Sequence, residues 1–350
     1  MRRSRKPIVI ASRKSRLARA QAEMVGRALA KLHPKLEVRY RWIVTEGDER
    51  PGPLAEAGGK GLFTRALEQT LLSGDADLAV HSLKDLPARM TPGLQIAAVP
   101  ARADVRDCLV SAAGHASIDA LPSGAAVGTS SPRRAAQLLR ARPDLEIVPL
   151  RGNVDTRLRK LGLADAPATT AAATTASLPP NPKSDQLAAT VLAVAGLRRL
   201  GLGEHATHLL DPELMLPAAC QGALGIQCRA DDHVTLTRCL PLNDPTAATL
   251  VHAERELVAA LNADCYAPLA VLCEPIPPPA TRKRRTDSHW YRFRARAMSR
   301  HGHKCLQFDT TAAPQELGRV VKRCAAELIE RNAARVMAEG SATQPPAQPA

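Results

Sequence analysis

An α/β fold of more than one domain is what this sequence predicts, and three observations predict it. Short apolar runs alternate with helical stretches through the first two thirds of the chain, the pattern of βαβ units built around a parallel or mixed sheet. The same pattern starts afresh near residue 104. At 350 residues the chain also exceeds what one small core buries, which sets two or three units with clefts between them.

The elements follow in order. "PIVIAS" reads as a strand and "SRLARAQAEMVGRALAKLH" as a helix; Val38, Tyr40, Trp42 and Val44 then alternate with polar neighbours, as in a half-buried strand. A helix fits "LFTRALEQTLLS", and "DLAVHS" gives a short buried strand that ends in the turn "LKDLP". In the second unit "AAVGTS" feeds a helix opened by "GTSSPRR". There Ser131 can cap and Pro132 suits the first helical position. Strand "LEIVPL" ends in "RGNVDTRLRKL" and strand "TVLAVA" in "GLRRLG". Every strand exit of this unit carries arginine.

Between those last two strands "ADAPATTAAATTASLPPNPKSD" lacks large apolar residues and reads as a disordered insert, at about 164–185. From about residue 245 the pattern changes to a small α+β domain. Its first helix lines up Leu250, Leu257, Val258 and Leu261 and precedes the loop "NADCYAP". Strands "LAVLCE", "HWYRFRARA" and "KCLQFDT" follow, then a helix with Leu317, Val321, Cys324 and Leu328 on one face. The tail 341–350 and the basic, Pro-rich "PIPPPATRKRRTD" are expected to be disordered.

Charge narrows the partners. With 48 Lys+Arg against 34 Asp+Glu the net charge is +14, which calls for a polyanion. Aromatic residues make up only 2% of the chain, too few to stack nucleic-acid bases, and neither a zinc-finger spacing nor an aromatic RNA-binding signature is present. Nucleic acid is therefore the weaker choice beside anionic lipid or a small molecule bearing many acidic groups. No run of about eighteen apolar residues spans a bilayer, and the strand at Pro7 leaves "MRRSRK" no room to be a targeting peptide, so a cytoplasmic protein is expected. The eight cysteines form no C-x-x-C pair and are expected to be reduced.

The strand-end and loop cations Arg13, Lys60, Lys84, Arg133, Arg134, Arg151, Arg157 and Arg199 recur where an α/β fold places its ligands. Each alone reads as a solvated charge; together they suggest a lined cleft. Asp85 is acidic among them and reads either as an ion-pair partner of Lys84 or as a carboxylate that steadies a transient cation and relays protons. Cys265 sits in a loop just after a helix, either a small buried hydrophobe or an accessible sulfur. His301, His303 and Cys305 in "HGHKC" lack a fourth ligand, so no metal is expected.

The blocks "ASRKSRLA", "GGKGLF", "DLAVHSLKDLP", "GTSSPRRAAQL", "LRGNVDTRL", "LAVAGLRRLGL", "QGALGIQCR" and "ADCYAP" occur in an order that resembles the porphobilinogen deaminase (hydroxymethylbilane synthase) family over about residues 7 to 335. The resemblance implies two periplasmic-binding-protein-like βα lobes plus a small C-terminal α+β domain. On that plan domain 1 comprises 1–103 and 222–243, domain 2 comprises 104–221 and domain 3 comprises 244–340. It further implies a transferase of heme biosynthesis that condenses four porphobilinogen molecules, with loss of ammonia, into hydroxymethylbilane. The primer would be a dipyrromethane cofactor joined by a thioether to Cys265.

By position in the matching blocks, the resemblance makes Asp85 the catalytic residue. Lys84, Ser131, Arg133, Arg134, Arg157 and Ser15 become cofactor contacts, and Arg13, Lys60, Arg151 and Arg199 substrate contacts. The chemistry agrees, since each porphobilinogen bears an acetate and a propionate and a growing chain is a flexible polyanion. A monomer is expected, with no nucleic-acid or membrane partner. Four places depart from the family's pattern: Glu56 stands where many relatives have lysine, Cys220 replaces a common glycine, Ala263 and Asp264 stand for glycines ahead of Cys265, and the usual glycine soon after the following proline is missing around Leu269. Two other readings remain open at this point: a two-lobed protein that binds an anion without catalysis, and nonspecific nucleic-acid binding through the +14 charge.

Overall fold

The computed structural model describes residues 6–45, 61, 64–163, 187–264, 266–278 and 290–340; Glu56, Lys60, Cys265, the insert and the tail lie outside the described residues. The alternation of "PIVIAS" becomes strand β1 (Ile8–Arg13), followed by helix α1 (Arg16–Leu32), which Ser15 caps by accepting from the Ala18 N–H at 3.3 Å. Ala22, Val25 and Leu29 supply its buried stripe. β2 (Val38–Ile43) turns Tyr40 and Trp42 to one side, where their rings stack at 5.3 Å with the Arg19 guanidinium over Trp42. Helix α2 (Arg65–Leu72) and strand β3 (Leu78–Ser82) follow, then a 3-10 turn at Leu83–Asp85 and strand β4 (Leu94–Ala98).

The second unit runs β5 (Asp107–Val110), β6 (Ala126–Gly128), α3 (Pro132–Ala141), β7 (Glu146–Val148), α4 (Val154–Lys160), β8 (Ala189–Ala193), α5 (Val194–Arg199) and β9 (His208–Leu209). The chain then returns through β10 (Leu224–Arg229) and α6 (His233–Cys239). One sheet has the order β2-β1-β3-β10-β4 and the other β7-β6-β8-β5-β9. In each, the first three strands are parallel and the fourth is antiparallel to its neighbours. The two lobes are therefore copies of one plan. The chain crosses between them twice, ahead of β5 and ahead of β10.

Strands β4, β5, β9 and β10 are absent from the reading of the sequence. β5 and β10 are buried along nearly their whole length, so their short runs "DCLV" and "LGIQCR" show no apolar/polar alternation to read.

The third unit is helix α7 (Pro245–Ala260), an antiparallel meander of β11 (Leu269–Ile276), β12 (Trp290–Met298) and β13 (Cys305–Ala312), and helices α8 (Leu317–Glu330) and α9 (Ala333–Ala338). One sheet face packs on these helices through Leu250, Leu257, Val271, Phe293, Cys324 and Leu328. β11 extends through Pro275 and Ile276, which composition assigns to a disordered stretch. Pairing with Tyr291 and Trp290 holds them, and β11 is an edge strand, where a proline costs no ladder bond. The other sheet face meets lobe two: Ala270, Leu272 and Met298 pack with Ala136 of α3 and Leu216. Gly302, in the β12–β13 turn, lies so close that a Cβ there would come within 2.1 Å of the Ala136 carbonyl oxygen.

One buried ion pair ties the three units together. Arg102, in the first crossing, forms a two-pronged pair with Glu254 of α7 at 2.7 and 3.0 Å. Glu254 also accepts the backbone N–H groups of Cys220, in the second crossing, and of Cys273 in β11, at 2.5 and 2.8 Å, while Arg102 Nε donates to the Gln221 carbonyl at 2.9 Å. The second crossing is tightly bent here. Cys220 takes a left-handed φ of 61°, a conformation that costs a non-glycine residue about 1–2 kcal/mol. Two residues on, Gly222 has φ 85° and no room for a Cβ, which would meet the Ala103 carbonyl at 2.5 Å.

Removing one partner of a buried pair leaves the other charge uncompensated, at a cost of about 3–5 kcal/mol. Glu254→Ala is therefore expected to lower unfolding stability by about that amount in urea denaturation, and a variant with the wild-type midpoint and slope would show that the pair does not hold the units together.

Candidate active site

The strand ends of the first lobe build one wall of the site. β1 ends in Arg13, α1 starts at Ser15, and β3 ends in Ser82 and the turn carrying Asp85. A small cleft of about 60 Å³ opens here, lined by Arg13, Ser15, Gln21, His81, Ser82 and Asp85 among others. The Asp85 side chain is exposed to it. Among the described residues its carboxylate makes no hydrogen bond or ion pair, so the ion-pair reading with Lys84 is not what the fold adopts.

His81, beneath the cleft, is buried against Gln227, with 2.9 Å from Nε2 to Oε1. Gln227 uses its amide nitrogen on Glu68 at 3.0 Å, so its oxygen faces His81 and the imidazole carries its proton on Nε2. Burial pushes the His81 pKa down to about 4, against which the Gln227 bond pulls weakly upward, and the ring is neutral in the physiological range.

The second lobe brings the cations. Ser131 caps α3 through the Arg134 N–H at 3.4 Å, as the motif predicts. Arg133 and Arg134, each 5% exposed, share one fully buried carboxylate, Asp107 at the start of β5, at 2.8 and 2.7 Å. Burial alone would raise the Asp107 pKa; Arg133, Arg134 and Lys84 overcome it and hold the carboxyl well below the usual range. Arg133 sends its other terminal nitrogen to the Leu216 carbonyl at 2.8 Å. Two open guanidinium forks are what the sequence suggests; both are instead anchored inside the lobe, and it is Arg134 that keeps a buried nitrogen, Nε, without a partner.

Gln221 links the lobes. Its amide nitrogen donates to Asp107 at 3.0 Å and to the Val105 carbonyl at 2.8 Å, and its oxygen accepts from Lys84 Nζ at 3.3 Å. Lys84 is half-buried, yet packed closely enough that desolvation, with Arg134 beside it, pushes its pKa down to about 8 against the pull of Asp85. Arg157 donates to the Gly152 carbonyl at 2.9 Å. Burial pushes it down to about 10, with Arg134 and Arg151 lowering it further and Asp85 opposing.

These couplings place Asp85, Lys84, Arg134, Arg151 and Arg157 around one space. Arg199, at the end of α5, donates to the Gly222 carbonyl at 2.7 Å and also keeps a buried Nε without a partner. Burial lowers it to about 10. A further tie crosses between the lobes, from Arg16 in the first turn of α1 to Asp155 in the first turn of α4, at 2.7 Å.

Sequence reasoning missed Asp107, Gln221 and His81. The available signal for Asp107 is an acid opening an otherwise apolar run, "DCLVS", where a lone buried carboxylate demands cationic partners. His301 and His303 stand 6.3 Å apart in the β12–β13 turn, and among the described residues no group of three or more His, Cys, Asp or Glu side chains could hold a metal ion. Among the same residues no helix is long and apolar enough to cross a membrane.

Residues 8–237 match the family model described as porphobilinogen deaminase, dipyromethane cofactor binding domain. A porphobilinogen deaminase of Ralstonia nicotianae is 41% identical over 344 residues, covering 97% of this chain and 93% of that protein. Those of Syntrophotalea carbinolica and Paraburkholderia phytofirmans are 46% and 48% identical, covering 75% of this chain and 76% and 71% of theirs. With a match spanning both lobes and relatives this similar along most of their length, the chain belongs to the porphobilinogen deaminase family of transferases, and residues 8–237 form its dipyrromethane cofactor binding domain.

Proposed function

We propose that this chain condenses four porphobilinogen molecules head to tail, releasing one ammonia per addition, and that one water then frees the product as hydroxymethylbilane and supplies its hydroxyl, with Asp85 the residue on which the chemistry turns. The observation that carries this reading is an exposed carboxylate with no hydrogen-bond or ion-pair partner among the described residues, on a cleft it shares with Arg13 and near enough to Lys84 and Arg157 to act on their charge. Such a wall suits a substrate with two carboxylates per ring. Once those carboxylates have neutralised the guanidinium and ammonium groups, Asp85 is left to answer a positive charge.

That charge arises in each addition. The C–N bond of the substrate's aminomethyl group breaks, nitrogen leaves as ammonia, and the resulting cation is shared between the methylene carbon and the ring nitrogen. Asp85 accepts the pyrrole N–H and stabilises the cation. A new C–C bond then forms at the free α-carbon of the chain end, and the proton lost from that carbon restores the ring. At 4 Å and the effective dielectric of a protein cleft, an opposite charge contributes about 4 kcal/mol, or about a thousandfold in rate.

The residues also fit the family's cofactor. The buried, partnerless Nε atoms of Arg134 and Arg199 are donors that lack acceptors, which carboxylates would supply. Ser15, Lys84, Ser131, Arg134 and Arg157 would hold its acid groups, with Arg133 supporting Arg134 through the shared Asp107, and Cys265 would carry its thioether. Bound there, the dipyrromethane supplies the pyrrole α-carbon to which the first substrate adds. Arg13, Lys60, Arg151 and Arg199 fall to the incoming and growing pyrroles, and a covalent tether keeps the product near Asp85 between additions.

Three measurements test the reading. Intact-protein mass spectrometry should find the wild type heavier by two condensed pyrrole units and Cys265→Ser without them; an unmodified wild type that releases no ammonia from porphobilinogen would favour an anion-binding protein. Asp85→Asn should keep the added mass while turnover falls about a thousandfold, and near-normal ammonia release would remove Asp85 from its role. Lys84 is charged below its pKa of about 8 and neutral above it. Accordingly uptake of the dipyrromethane by protein that does not yet carry it should fall as pH rises through about 8, and the fall should move to higher pH in Lys84→Arg; an unshifted profile would exclude Lys84 as its source.

A further inference from the structure

We propose that Arg255, on the third domain's helix α7, is the positioning residue for Asp85. The inference rests on the proposed role of Asp85 and adds a residue with no place in that chemistry. The Arg255 guanidinium is buried, 8% exposed, and faces no carboxylate among the described residues. It donates instead to three successive carbonyls: Leu86 at 3.2 Å, Pro87 at 2.6 Å and Ala88 at 3.0 Å. These carbonyls belong to the segment that leaves the Leu83–Asp85 turn. Burial lowers the Arg255 pKa, as expected of a cation held only by neutral dipoles.

A buried cation without an anionic partner is costly, and an aliphatic side chain would fill the same volume without that penalty. Aliphatic side chains already pack this joint. Leu83 and Leu86 lie against Ala247 and Val251 of the same helix. What an aliphatic group cannot supply is direction: a planar fork bonded to three carbonyls fixes the orientation of the backbone that emerges from the turn. Asp85 needs that fixing, because among the described residues its own carboxylate has no hydrogen-bond or ion-pair partner to orient it. The turn is otherwise closed by the Leu86 N–H on the Leu83 carbonyl at 3.2 Å and joined to β10's approach by the Leu83 N–H on the Ala223 carbonyl at 3.0 Å.

Neighbouring residues of α7 thus serve different ends. Glu254 grips the two crossings between the lobes, and Arg255 grips the backbone beside Asp85. α7 also ends at Ala260, ahead of Cys265 in the chain. One rigid helix thereby fixes the place of the reactive carboxylate from the same domain that carries the anchoring thiol.

The test uses the full chain carrying its native modification, verified by intact mass. Arg255→Lys keeps the charge but replaces a fork with a single ammonium. It should lower kcat for porphobilinogen about 100-fold, the scale of a 1 Å misplacement, with KM within about twofold because the cleft cations are untouched. Pro87→Gly, which loosens the same segment without altering Arg255, should reproduce the loss, and the double variant should be no worse than either alone. Wild-type kcat in folded, modified Arg255→Lys, or in Pro87→Gly should the first variant not fold, overturns the proposal. Additive losses or a rise in KM with unchanged kcat also overturn it.

Hydrogen exchange at the Leu86 amide gives a readout independent of turnover. It should quicken at least about tenfold in Arg255→Lys if the fork holds the turn, and unchanged exchange would again count against it. Ammonia release by the wild type tests the underlying reading separately, so failure of one is not mistaken for failure of the other.

Discussion

The site depends on one buried carboxylate. A protein that must hold several cations close together before any anionic partner arrives faces their mutual repulsion, and Asp107 is where this chain answers it. Fully buried, it accepts from Arg133, Arg134 and Gln221, and through Gln221 it reaches Lys84. The cost of desolvating that carboxylate is recovered from two guanidinium groups at hydrogen-bond distance, which is why it stays ionised despite its burial. Arg134 and Lys84 are then held together in the interior, Arg134 with its buried Nε to spare, while Arg133 serves as interior scaffolding.

The same economy of charge recurs at the joints. Arg102 and Glu254 do for the crossings what Asp107 does for the cleft: each buried ion is matched, and the leftover lone pairs of Glu254 are used on backbone N–H groups of two different segments. The third domain is therefore more than an appendage. It docks its sheet on α3, clamps both crossings through Glu254 and holds the backbone after Asp85 through Arg255. Helix α3, in turn, is packed between its own lobe and the third domain, so the arginines it presents have little freedom to move.

Much of this was legible in the residues. The cap at Ser131, the strand exits that carry Arg13 and Ser82, and the amphipathic α8 all follow from local rules, and the structure has them where those rules put them. What local rules could not reach was pairing across the fold. Asp107 stands on β5, far along the chain from Arg133 and Arg134, and the antiparallel strands β5 and β10 are too short and too buried to announce themselves by periodicity. Asp85 illustrates the opposite error. Its neighbour Lys84 suggests an ion pair by proximity in sequence, but a 3-10 turn sends consecutive side chains in different directions, and Lys84 goes to Gln221 while Asp85 faces the cleft.

The tie between Arg16 and Asp155 has a consequence for how the two rims behave. Both side chains are partly open to water, 33% and 14% exposed, and a pair of that kind contributes on the order of 1 kcal/mol, little more than thermal energy. It closes the aperture without locking it. Dissolved salt, by screening the pair, would set how often the first turns of α1 and α4 meet.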